Sequence, residues 1–132
     1  MRYEVASIVR ASPASVWGWW TDHGPPGTRE RISHGFGSSM RTVVSREGDV
    51  LVLRETVAGV PVLTHRVELH AAQRAFKEEA RAFTAWWRFE DAPEGTRVRR
   101  EVETRAWAPR WLVRWAAQRD LDHHARECER AL

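Results

Sequence analysis

The stretch from Ser38 to Trp107 leaves this chain little choice of architecture. Six segments with the character of strands follow one another there: Met40 to Arg46, Val50 to Ala58, Val62 to Ala71, Gln73 to Arg81, Ala82 to Asp91 and Thr96 to Trp107. The punctuation between them is short and turn-forming, as in Glu47-Gly48-Asp49, Gly59-Val60-Pro61 and Ala92-Pro93-Glu94-Gly95. Connections of a few residues join antiparallel neighbours only, because a parallel pair needs a crossover of a dozen residues or more. An antiparallel meander follows. After Ala108-Pro109 the pattern changes, and no Gly or Pro occurs before Leu132. That tail predicts a helix of about six turns. Val113, Ala117, Leu121, Ala125, Cys128 and Leu132 recur along it at three- and four-residue spacing, so one stripe is expected to be buried.

Upstream, Arg2 to Arg10 alternates as a strand, with Tyr3, Val5, Ser7 and Val9 on one side. Ser12-Pro13 then reads as a helix start, a capping residue followed by proline at the first helical position. The helix is expected over Pro13 to about Thr21 and stops before Gly24-Pro25-Pro26-Gly27. Thr28 to His34 is expected to add a short helical turn. The 132 residues form one domain on this reading, 1–132. Its class is α+β, a seven-stranded antiparallel sheet wrapped around a long C-terminal helix, with one or two short helices after the first strand. A sheet with one face to bury and one long amphipathic helix to cover it make a consistent pair.

Three local marks accompany this order: Val9-Arg-Ala11-Ser12-Pro13-Ala-Ser-Val16-Trp17, the Glu94-Gly95-Thr96 turn, and the closing Glu129-Arg-Ala-Leu132. With them the chain resembles the START-like helix-grip superfamily, and within it the small bacterial polyketide cyclase/dehydrase-like proteins. The resemblance covers essentially the whole chain and implies a hydrophobic cavity between sheet and helix that binds an apolar or aromatic small molecule. It also implies two alternatives, a cyclase/dehydratase-type enzyme and a protein-interaction module.

Strand alternation identifies the side chains facing that space. The inward set of the last strand is Val98, Arg100, Val102, Thr104 and Ala106, and that of the strand before it Phe83, Ala85, Trp87 and Phe89. Leu51, Leu53, Glu55 and Val57 face inward from one earlier strand, and Leu63, His65, Val67 and Leu69 from the next. Three ionisable groups, Glu55, His65 and Arg100, thereby fall at interior positions. Buried charge is costly unless paired, so they are expected either to pair with one another or to contact a ligand. As catalytic candidates, Glu55 or His65 would accept a proton and Arg100 would steady a developing oxyanion. The expected ligand-lining residues are Trp17, Trp20, Phe83, Trp87, Phe89, Leu53, Leu63 and Val102.

Eight Trp beside one Tyr and four Phe are many for a chain with room for one core. Trp86 alternates outward and is a candidate contact for a second subunit, making a homodimer possible on this reading. Trp111 and Trp115 lie off the main helical stripe, where they could cover the groove entrance. His23 and His34 lie near the expected mouth of the groove, where ligand contact is open to them. Asp120-x-x-His123-His124-x-x-Glu127 has helical spacing but no distant third ligand, and Asp120 and His123 point away from the apolar stripe. A solvated polar face is expected there, and no metal site.

Composition narrows the rest. The 21 basic residues, all Arg except Lys77, face 18 acids for a net charge of +3. They are interleaved with Glu rather than clustered, so a nucleic-acid partner is not expected. Cys128 is the single cysteine and has no intramolecular partner. Charges run through the N-terminus, where a leader would need an apolar core, and no apolar run approaches the ~20 residues that span a bilayer. A cytoplasmic protein without a transmembrane segment is expected. No phosphate loop, GxGxxG or GxSxG occurs, and no cofactor is expected.

Overall fold

The computed structural model describes residues 1–132. Strand β1 (Arg2–Val9) is followed by helix α1 (Pro13–Thr21) and then by seven strands: β2 (Arg29–His34), β3 (Gly37–Glu47), β4 (Val50–Val57), β5 (Val60–His70), β6 (Ala75–Ala80), β7 (Phe83–Ala92) and β8 (Gly95–Thr104). Helix α2 (Arg110–Ala131) closes the chain. All strands belong to one antiparallel sheet in the order β1-β8-β7-β6-β5-β4-β3-β2. The sheet is therefore open, with β1 and β2 at its edges. No helix is long and apolar enough to cross a membrane.

The sheet has eight strands and not seven because Thr28 to His34 is not the expected helical turn. The segment Arg29–His34 pairs with β3 along its length, from Arg29 opposite Thr42 to His34 opposite Gly37. Two further bonds dock the chain just before it: the Gly27 amide donates to the Val43 carbonyl at 2.8 Å and the Val43 amide to the Thr28 carbonyl at 2.9 Å. Polar residues at all but one position of Arg-Glu-Arg-Ile-Ser-His conceal an edge strand, since an edge has little apolar surface to declare. Four smaller corrections concern strand ends and one side chain's direction. Ala71–Gln73 is a 3-10 turn, so β6 starts at Ala75. The β4–β5 hairpin turns at Ala58-Gly59, both at positive φ as a two-residue hairpin requires. A register slip after Glu55 in that hairpin turns Val57 out to solvent, against its expected inward place. β8 ends at Thr104, before Trp107.

Helix α1 starts as its sequence dictates: the Ser12 side chain accepts from the Ser15 amide, and proline occupies the first turn. Helix α2 buries Leu121, Ala125 and Cys128, with Val113 and Ala117 packed at the rim of the core, while Leu132 is exposed. The core lies between this stripe and the inward faces of the strands, where Val5, Val9, Leu51, Leu53, Ala85, Val98 and Val102 are buried.

Helix α2 also covers both sheet edges. Gln118 Nε2 donates to the Ala6 carbonyl at 2.6 Å and Arg114 Nε to that of Glu4 at 3.3 Å, satisfying carbonyls of edge strand β1. At the other edge His123 Nε2 lies 3.0 Å from Ser33 Oγ of β2. The Arg10 amide, just past β1, donates to Glu129 Oε1 at 2.8 Å.

Two glycines give opposite predictions. Gly95 opens β8 at φ +142°, and a Cβ there would lie 2.5 Å from the Val9 carbonyl oxygen and 2.8 Å from the Ala11 amide nitrogen. Gly95→Ala is expected to destabilise the protein by roughly 3 kcal/mol, since backbone must move on both sides. Gly18, inside α1, has nothing within 4 Å of such a Cβ. Gly18→Ala is expected to stabilise by roughly 0.5–1 kcal/mol through helix propensity. Denaturant midpoints of the two variants check both signs.

Candidate functional site

Seven strands and both helices contribute side chains to a cavity of about 340 Å³ between the sheet and α2. Its apolar lining is Trp19 and Trp20 from α1, and Leu53, Leu63, Phe76, Phe83 and Trp87 from the sheet. Trp87 and Phe76 stack with ring centroids 5.2 Å apart, and Trp20 meets Trp87 at 5.8 Å. Interleaved with these on the same sheet face are Glu55, His65, Glu78 and Arg100, joined by His34 from β2 and by Asp120 and His124 from α2.

Glu55, His65 and Arg100 all line this cavity, as alternation places them. What joins them is Glu78, on β6 and buried like His65. His65 Nδ1 lies 2.6 Å from Glu78 Oε2, and its Nε2 lies 3.7 Å from Glu55 Oε2. Arg100 reaches Glu78 Oε1 at 3.5 Å, and the Trp87 indole N–H donates to the same oxygen at 3.2 Å. The Arg100 guanidinium is also held over the Trp87 ring at 5.1 Å and the Phe83 ring at 5.6 Å. Burial alone would raise the Glu78 carboxyl, but His65, Arg100 and the Trp87 N–H outweigh it and bring its pKa down to about 2. The Glu55 carboxyl is also lowered: burial acts against the shift, and hydrogen bonds from His34 and Ser39 prevail. Glu78 was legible in principle, since Phe76 faces inward and the residue two further along a strand shares its face.

A second cluster sits beside the first. His34 Nδ1 lies 3.2 Å from Asp120 Oδ1, and His124 Nε2 lies 3.4 Å from the same oxygen. His34 Nε2 contacts Ser39 Oγ at 2.9 Å, and Ser39 donates onward to Glu55 Oε1 at 2.9 Å. The hydrogen bonds to Asp120 and then Glu55 raise the His34 pKa to about 9. Asp120 is held well below the carboxylate range: burial opposes this, but His124 and His34 override it. The expectation of a solvated face over Asp120 and His123 is thus corrected. Asp120 turns into the cavity, and His123 is engaged by Ser33 and by Glu127 Oε1 at 3.1 Å.

Of the expected ligand-lining residues, Trp20, Phe83, Trp87, Leu53 and Leu63 line the cavity. Trp17, Phe89 and Val102 do not; they form the core behind it, with Trp17 and Phe89 packed edge to face at 5.5 Å. Trp111 and Trp115 do not cover the entrance. Trp111 is 72% exposed, and Trp115 packs on Phe36 outside the cavity lining. Trp86 faces the outer side of the sheet as expected, half-buried under the Arg2 guanidinium 5.6 Å away. It borders a more open depression of about 870 Å³ on the outer side of the sheet, whose charges, Lys77 with Glu79 among them, stay at the surface. Buried ionisable groups converge on the inner cavity and not on that one.

No protein-family model matches the chain, and neither does any curated protein. Solved structures do. An AHSA1-like protein from Aeromonas hydrophila superposes with a TM-score of 0.69 at 15% identity, over 99% of this chain and 94% of the other. An aromatase/cyclase from Streptomyces gives 0.65 at 19% identity, over 98% and 94%. A START superfamily protein from Mycobacterium smegmatis gives 0.59 at 15% identity, over 98% and 95%. The chain has the START-like helix-grip fold; at these identities the likeness concerns the fold alone.

The acid limb of stability is expected to have two parts. His23 is buried, and burial followed by Arg41 lowers its pKa to about 3. A lowered histidine contributes stability that is complete above about 6.5 and declines as pH falls toward 3. Glu78 contributes stability that is complete above about 4.5 and is lost as pH falls through 2. Denaturant midpoints measured from pH 8 to 3 should therefore fall in two stages. His23→Leu is expected to flatten the stage between 6.5 and 4.5. Glu78→Gln should shrink the lower stage, to which Glu55 and Asp120 also contribute, while costing roughly 3 kcal/mol at pH 7 because it strips Arg100 and His65 of their counter-ion.

Proposed function

We propose that the protein binds an aromatic or otherwise apolar small molecule bearing at least one oxygen function in the cavity between sheet and α2. The observation that carries this reading is a set of buried polar atoms without a hydrogen-bond partner: Nε2 of His65, Nε of Arg100 and Nδ1 of His23. Each such atom costs roughly 1–3 kcal/mol unless something bonds to it. All belong to residues lining one aromatic-walled cavity. A flat guest with a carbonyl or hydroxyl would cover the Trp20, Phe76 and Trp87 rings and supply the missing partners. The volume lies at the small end of the ~300–1,000 Å³ typical of ligand pockets, which favours a compact ring system over a long chain. The aromatase/cyclase and START superfamily likenesses are consistent with such a guest.

A second reading, acid/base chemistry of the cyclase or dehydratase kind, is favoured by the position of His65 between two carboxylates with Arg100 adjacent. In that reading His65 and Glu55 exchange a proton with a carbonyl compound, and Arg100 stabilises the oxyanion that develops.

Quenching of tryptophan emission by a panel of bicyclic phenols and aryl ketones tests the first reading. Saturable one-to-one binding is expected, and Leu63→Trp, which fills the cavity, should weaken it about tenfold or more. Leu112→Trp, outside the cavity, should leave it unchanged. No response, or a response indifferent to Leu63→Trp, refutes it. For the second reading, Glu55→Gln and His65→Gln are expected to lower turnover of a β-polyketone substrate by roughly 10²–10⁴ while binding stays within about threefold. Equal loss of binding and turnover would leave these residues a binding role only.

A further inference from the structure

We propose that His34, Asp120 and His124 bind a divalent first-row transition-metal ion at the edge of the cavity. Each offers one ligand atom, and the three atoms lie within 4.8 Å of one another. His34 Nδ1 and His124 Nε2 stand 3.2 and 3.4 Å from Asp120 Oδ1. A tetrahedral ion with bonds of ~2.0–2.2 Å holds neighbouring ligand atoms about 3.3–3.5 Å apart, so these two separations are already those of a coordination shell. Only the two imidazoles would have to draw closer.

The hydrogen-bond inventory points the same way. The Ser39 hydroxyl has one proton and donates it to Glu55 Oε1 at 2.9 Å. Its oxygen therefore accepts from His34 Nε2–H, at 2.9 Å. With Nε2 so engaged, Nδ1 is the nitrogen that faces the Asp120 carboxylate, and a metal ion would bind it by displacing the proton that Nδ1 otherwise donates. His124 Nε2 faces the same oxygen. One cation would take the place of the His34 Nδ1 proton and meet His124 Nε2 at the same carboxylate oxygen. A hydrogen bond from the far nitrogen to a second group is also how metal-binding imidazoles are normally oriented.

Two imidazoles and one carboxylate suit zinc, cobalt, nickel or ferrous iron, not calcium or magnesium, which take oxygen ligands. Asp120 and His124 are four apart on one face of α2, and His34 comes from the edge strand facing them. All three line the cavity, and the side chains keep 16–36% of their surface exposed, which leaves a way in for an ion. The remaining coordination positions would then face the guest. The metal site rests on ligand geometry and stands whether or not the cavity takes an apolar molecule.

Cobalt(II) is the probe. The chelator-treated full-length protein is expected to bind one equivalent, with a visible ligand-field band that zinc abolishes by displacement. His34→Gln, Asp120→Asn and His124→Gln should each weaken binding by at least ~100-fold, and Ser39→Ala by ~10-fold through loss of orientation. His123→Gln should change nothing, and Leu63→Trp, which blocks the cavity guest, should retain cobalt. Thermal melts without metal identify any variant that fails to fold; Ser39→Ala then carries the comparison. Absence of a cobalt band, binding of wild-type strength in the folded ligand variants, or binding that follows His123 overturns the proposal.

Discussion

An open sheet has two edges, and in this protein one helix has to cover both. Helix α2 buries Leu121, Ala125 and Cys128 against the sheet and gives Gln118 and Arg114 to the carbonyls of β1. On its other flank it meets β2 through His123 and Ser33. Edge strands present unpaired backbone groups that would otherwise invite another chain, so this coverage protects the sheet as well as shaping it. The apolar stripe does not extend over the whole sheet. Where it gives way to Asp120, His124 and Glu127, the helix stands off from β4 to β7 and the cavity opens.

That gap explains why so many ionisable groups are held in a small domain. Carboxylates and histidines at this depth persist only as mutually compensated sets, because isolated buried charge is too costly. Glu78 is compensated by His65, Arg100 and the Trp87 indole; Asp120 by His34 and His124. Glu55 joins the two sets, touching His65 on one side and Ser39 on the other. The result is one cavity in which buried polar groups lie directly against aromatic rings, as Arg100 does over Trp87 and Phe83.

The tryptophans sort along the same division. Trp17 is core, Trp19, Trp20 and Trp87 line the cavity, Trp86 lies beneath Arg2, and Trp107 and Trp111 are exposed. Alternation predicted the side on which Trp87 and Phe89 lie, and both do face inward. It could not tell that Trp87 borders empty space while Phe89 is packed by Trp17 and Trp20, since that depends on where α1 comes to rest.

The sequence by itself determined the meander, both helices with their starts, and the inward places of Glu55, His65 and Arg100. These follow from local rules: turn chemistry, capping and the two-residue period of a strand act within a few residues of the chain. Tertiary structure alone decided that Arg29–His34 is a strand, because its partner β3 and not its own pattern defines it. It alone also decided that Asp120 meets His34 across 86 positions of chain, making a cluster out of what reads as a polar helix face. Helical spacing relates Asp120 to His124, but no sequence period relates a helix to the strand that packs beside it. That relation is set by the edge the helix must cover.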